Sequence, residues 1–153
     1  MNTDNKNNND LKINYNKLTY NAMKNVIFEI LKSVAKYGLP GKHHFYITFE
    51  THTNGVKIPK DLKIKYPEEM TIVIEKYFWD LKVDKNKFSL ILTFNKIKKK
   101  LEITFDSILS FSDPHANFIF KFPKLSEEKI LFDKTKNKKS SKIINIHDFK
   151  KES

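Results

Sequence analysis

From Phe45 to Phe122 apolar residues return at every second position, and nothing earlier in the chain does so. This change of period constrains the fold more than any other feature. A repeat of two alternates across a strand, whereas a repeat near 3.6 winds around a helix. "HHFYITFE" places Phe45, Ile47 and Phe49 on one face, "MTIVIEKYF" alternates through Met70, Ile72 and Ile74, and "WDLKV" through Trp79, Leu81 and Val83. "FSLILTF" continues with Phe88, Leu90, Leu92 and Phe94, "KLEITFD" with Leu101, Ile103 and Phe105, and "NFIFKF" with Phe118, Phe120 and Phe122. Asn54-Gly55, Asn95-Lys96 and Asp113-Pro114 punctuate these runs as turns. The expected fold is mainly β with an N-terminal α-helix: about six or seven antiparallel strands, closed or half-closed into a small barrel. The barrel is expected over residues 43–122.

The helix is expected over residues 15–37, with Asn14 as its cap. Gly38 suits a left-handed position after it, followed by Leu39 and the stop at Pro40. At about 100° per residue its apolar side chains sweep an arc of roughly 260°. A helix lying on one sheet needs an apolar stripe of only about 100°. The excess predicts burial on two sides, against its own sheet and against a second copy of the helix. Met23, Val26, Ile27, Ile30, Leu31 and Val34 are the expected homodimer residues. Deep burial inside a monomer is the competing explanation.

At 153 residues the chain is expected to hold one domain, 14–122, with tails. Residues 1–13 are dominated by Asn and Lys and are expected to be disordered. With no cysteine, disulfides and cysteine-based metal or nucleophile sites are excluded. No apolar run approaches the roughly 20 residues that cross a membrane, and no signal-type segment precedes the helix. A cytoplasmic location, without membrane association, is the expectation. The net charge of +11 invites a nucleic-acid partner, but all 29 basic residues are Lys. Lys offers a point charge where base reading favours the arginine fork.

Catalytic constellations are lacking. His43 and His44 are neighbours and point to opposite faces of a strand, which makes a shared metal ion difficult. Glu68-Glu69 after Pro67 is a common loop or helix-start composition, and the serines lack a nucleophile-elbow setting. No glycine-rich phosphate loop occurs. The expectation is a non-enzyme with no metal and no cofactor. "NKIKKK", Asn95 to Lys100, reads as a cationic hairpin tip, either a solvated turn or a contact for an anion or acidic peptide.

One feature of the terminus is harder to place. Residues 123–141 read as a linker, yet Ile143, Ile144, Ile146 and Phe149 follow it, with Lys150 and Lys151 behind them. They suit either a last strand on the parent barrel or a short peptide that docks elsewhere. The lysine-rich linker favours docking, over residues 142–153.

"YGLPGKHHFYITFETHTNGVKIP", "YPEEMTIVIEKYFWDLKV" and this terminus resemble the stringent starvation protein B family, in its alpha-type branch. The resemblance implies a non-enzymatic adaptor for the ClpXP protease. It implies a dimer joined through the N-terminal helix and a small Sm-like barrel whose groove binds the ssrA tag. It further implies a terminal tail, here Ile143, Ile144, Ile146, Phe149, Lys150 and Lys151, that docks on the N-terminal domain of the ClpX unfoldase. Ile72, Ile74, Leu90, Leu92 and Phe94 fall in the strands that would border the tag groove. Asn95, Lys96 and Ile97 would complete that groove, in a stretch that reads Phe94-Asn95-Lys96-Ile97-Lys98 where the family usually has Phe-Gly-Gly-Ile-Pro. A lysine-rich, Sm-like RNA-binding module is the alternative function.

Overall fold

The structure is a computed structural model that describes residues 13–122. The expectations for 1–12, for the linker and for the terminal hook lie outside those residues. Helix α1, Tyr15–Tyr37, comes first. Strand β1, Phe45–Glu50, is followed by a short helix α2, Lys60–Lys65, and by β2, Glu69–Ile74. Then come β3, Trp79–Val83, β4, Lys87–Phe94, and β5, Ile97–Thr104. A 3₁₀ turn at Phe105–Ser107 leads into β6, Ile108–Asp113, and another at Pro114–Ala116 leads into β7, Phe118–Lys121.

The strands form two antiparallel sheets, in the orders β2-β1-β6-β7 and β3-β4-β5. The expected β-rich fold with an N-terminal helix is present, without a closed barrel of hydrogen bonds among the described residues. The chain changes sheet through the 3₁₀ turn after β5, so β5 and β6 do not pair as a hairpin. A single bridge, Lys57 with Glu102, fastens the β1–β2 connection to the outer edge of β5. Two sheets packed through side chains therefore replace a continuous ladder.

Both sheets turn one face inward. Phe45, Ile47, Phe49, Met70, Ile72, Ile74, Ile108 and Phe111 come from the first, and Phe88, Leu90, Leu92, Leu101 and Ile103 from the second. A stripe of α1 covers them: Tyr20, Ile27, Leu31 and Val34, spaced by threes, fours and sevens, are buried. Its rings reach the sheet-changing turn, with Phe28 edge-on to Phe105 and the Tyr20 hydroxyl donating to the Asp106 carbonyl at 3.4 Å, while the Tyr20 ring is edge-on to Phe122 beyond β7. The Asn14 side chain accepts a hydrogen bond from the Lys17 N–H at 3.1 Å, as a cap should. Gly38 donates its N–H to the Val34 carbonyl at 2.8 Å. Its φ of 86° is positive, but its ψ of 169° sends the chain out extended instead of into a left-handed turn.

Three elements depart from the pattern. Strand β6, central between β1 and β7, was not among the expected runs. Its pairing with β1 shifts register between Thr48 and Phe49, which breaks the alternation of "ILSFSD". Helix α2 was also absent from the expectation; it is a single short segment anchored by buried Leu62. Glu69 opens β2 opposite Glu50, where a loop composition was expected, and His52 lies 3.7 Å from Glu50 and 4.0 Å from Glu68.

Gly55 lets the β1–β2 connection lie against β5. Its φ is 92°, and a Cβ there would stand 2.9 Å from the Thr104 methyl. Gly55→Ala is expected to lower stability by about 1–2 kcal/mol, read as a lower urea midpoint with unchanged slope.

Candidate functional site

The hairpin that joins β4 to β5 is built from the residues expected to border a ligand groove. Phe94 pairs with Ile97, leaving Asn95 and Lys96 as a two-residue loop. Both have positive φ, 49° and 68°. A two-residue hairpin whose central residues both have φ above zero matches the twist of its strands, and Asn-Gly is the usual pair. Asn tolerates this region and Lys does not, so Lys96 holds a strained backbone. The loop has kept a glycine-type conformation without glycine. Phe94 leans on the core while Ile97 beside it is 60% exposed.

The strand residues divide by parity. Ile72, Ile74, Leu90 and Leu92 are buried in the core. Their side chains cannot meet a ligand without unfolding, so they shape the sheet. Phe94, Asn95, Lys96 and Ile97 remain accessible at the tip.

The opposite face of the β3-β4-β5 sheet was not anticipated. Trp79 pairs with Ile91, and Ile91 pairs with Lys100, so the three share one outward row. Lys98 stands over the Trp79 ring, 4.0 Å from its centroid. Ser89, paired with both Lys82 and Glu102, continues that face. Trp79 was expected on the same side as Leu81 and Val83. The structure corrects this: register shifts between Trp79 and Lys82, and Asp80 adopts a φ of 55°. One added residue flips parity, so Trp79 faces out while Val83, paired with Phe88, faces the core.

On α1 the expected dimer residues also divide. Ile27, Leu31 and Val34 are buried against their own sheets, Met23 and Ile30 are half-buried, and Val26 is exposed. Tyr15, Leu18, Val26 and Tyr37 are the large apolar side chains on the exposed side. The helix thus retains a second apolar strip, narrower than the whole arc.

His43 and His44 point apart. His43 Nδ1 donates to Asp113 Oδ2 at 2.6 Å, and its ring meets His115 edge-on. His44 Nδ1 lies 3.1 Å from the Lys42 carbonyl. Among the described residues no three His, Cys, Asp or Glu side chains gather as metal ligands. Burial pushes the Asp113 carboxyl upward. The His43 hydrogen bond and charge, with the Ala116 and His115 N–H groups, outweigh that and hold it below the ordinary aspartate range. No described helix is long and apolar enough to cross a membrane.

The family model for stringent starvation protein B matches residues 17–152. That span takes in nearly all of α1, both sheets and nearly all of the chain beyond them. The chain belongs to the stringent starvation protein B family. Membership supports a general role as an adaptor in ClpXP-dependent protein degradation, which is a binding task and not catalysis. No curated protein matches the chain.

Lys96→Gly is expected to relieve the tip and raise stability by about 0.5–1 kcal/mol, seen as a higher thermal midpoint. A carboxyl depressed in the folded state stabilises fully above its unfolded value, about pH 4, and loses that contribution as pH falls through the lower folded value. Urea midpoints measured from pH 6 down to 3 are therefore expected to drop across this window in the native chain, and less steeply in Asp113→Asn.

Proposed function

We propose that this protein is a non-enzymatic adaptor that binds ssrA-tagged proteins and carries them to the ClpX unfoldase. The observation that carries the reading is the extent of the family match, which runs from α1 through the sheets into the terminal segment. Three tasks are assigned to three regions. The accessible apolar pair at the β4–β5 tip, Phe94 and Ile97, takes the tag, with Asn95 and Lys96 offering polar contacts. Ile143, Ile144, Ile146 and Phe149, with Lys150 and Lys151, take the N-terminal domain of ClpX. The exposed strip of α1, centred on Val26, joins two copies into a homodimer.

Tethering is the mechanism. A flexible linker the length of residues 123–141 spans about 25 Å. Cargo on the sheet then meets the protease at an effective concentration near the millimolar range, with no contact of its own to the enzyme. Two tails in one dimer add avidity.

A second reading rests on one observation, the outward row of Trp79, Ile91 and Lys100 with Lys98 over the indole. An aromatic platform among lysines suits stacking by single-stranded nucleic acid. Such binding would weaken steeply with salt, whereas an apolar tag contact would not.

Two measurements decide between these readings. With labelled tag peptide, Ile97→Asp is expected to weaken binding at least about tenfold, equivalent to about 1.4 kcal/mol, and Lys98→Glu to leave it within about twofold. Removing residues 142–153 should leave peptide binding intact and abolish the stimulation of tagged-substrate degradation at low substrate concentration. Unchanged stimulation would remove the tail from the mechanism. A salt-sensitive oligonucleotide complex lost in Lys98→Glu, without tag binding, would favour the second reading.

A further inference from the structure

A cleft of about 530 Å³ opens beside the C-terminal half of α1. Ile30 and Val34 of the helix, Phe45 of β1, Phe111 of β6 and Phe118 of β7 give it apolar walls. Its carboxylates are Glu29 and Asp113, the latter paired with His43, and no lysine lines it, in a chain whose net charge is +11. Asp113 is only 6% exposed and is already held by His43, so Glu29 is the carboxylate open to an occupant. Apolar walls beside an exposed carboxylate suit an occupant with apolar side chains and a cation.

The chain's own terminus has that chemistry and is within reach. The described residues end at Phe122, and β7, four residues long, carries the chain about 13 Å from the cleft wall at Phe118. A stretch the length of residues 123–141 spans about 25 Å more. Lys142 to Lys151 then offers Ile143, Ile144, Ile146 and Phe149 among three lysines and one acid, Asp148. We propose that the cleft beside α1 is a docking site for this terminal segment, its apolar side chains against the half-buried Ile30 and Phe118 and a lysine toward the exposed Glu29. The docked segment is withheld from other partners. That consequence, a self-sheltered unfoldase ligand, rests on the adaptor reading above; occupancy of the cleft does not.

The test uses the full-length chain and no unfoldase. Backbone amide shifts are compared between the native chain and Ile144→Asp/Phe149→Asp, and a synthetic peptide of residues 141–153 is then added to the variant. The variant is expected to shift the amides of Ser33, Gly38, Ala116 and Phe118, and the peptide to restore them saturably. Ser33→Trp, which fills the exposed mouth, should abolish the peptide response in the same background. Cleft amides identical in native chain and variant, or peptide shifts confined to other surfaces, would overturn the proposal. So would cleft shifts that follow protein concentration and ignore the peptide, since a second copy would then be the occupant. Each of these failures leaves the adaptor reading to its own degradation assay.

Discussion

Two sheets each have a face that must leave water, and one helical stripe closes both. Ile27, Leu31 and Val34 do this from α1, with Phe28 and Tyr20 reaching the turn where the chain changes sheet. Neither sheet is large enough to curl on itself and seal its own inner face, so a packed second layer is required. Burying a side chain of this size contributes about 1.5–3 kcal/mol. The helix is therefore the keystone of the domain, and its remaining exposed strip is what is left for other molecules.

The candidate surfaces arise where regular alternation stops. Asp80 adds a residue and turns Trp79 outward. Asn95 and Lys96 close the tightest turn in a left-handed conformation and lift Ile97 away from the core. Asp113 ends β6 as a buried carboxylate held by His43 beside an apolar hollow. In the first two cases the interior excludes a residue that the strand period would have placed inside.

The period-two runs made six of the seven strands legible, and the composition around Asn14 and Gly38 located both ends of the helix. Strand β6 escaped because its bulge against β1 spoils the alternation, although Ile108 and Phe111 are as buried as any core residue. The parity of β3 escaped for a related reason: a bulge at Asp80 has no reliable signature in residue type. Groove and core could not be separated on β2 and β4, because alternation distinguishes two faces without saying which is wet. Burial answers that, and it assigns Ile72, Ile74, Leu90 and Leu92 to the interior. The His43–Asp113 pair joins residues distant in sequence, a pairing that only the fold brings about.

The displaced indole has a practical side. Trp79 is the only tryptophan in the chain, and it packs outside the main apolar cluster beneath a lysine ammonium. Its emission is consequently a spectroscopic window onto the outer sheet face. Quenching or a colour change there would register a visitor on that surface.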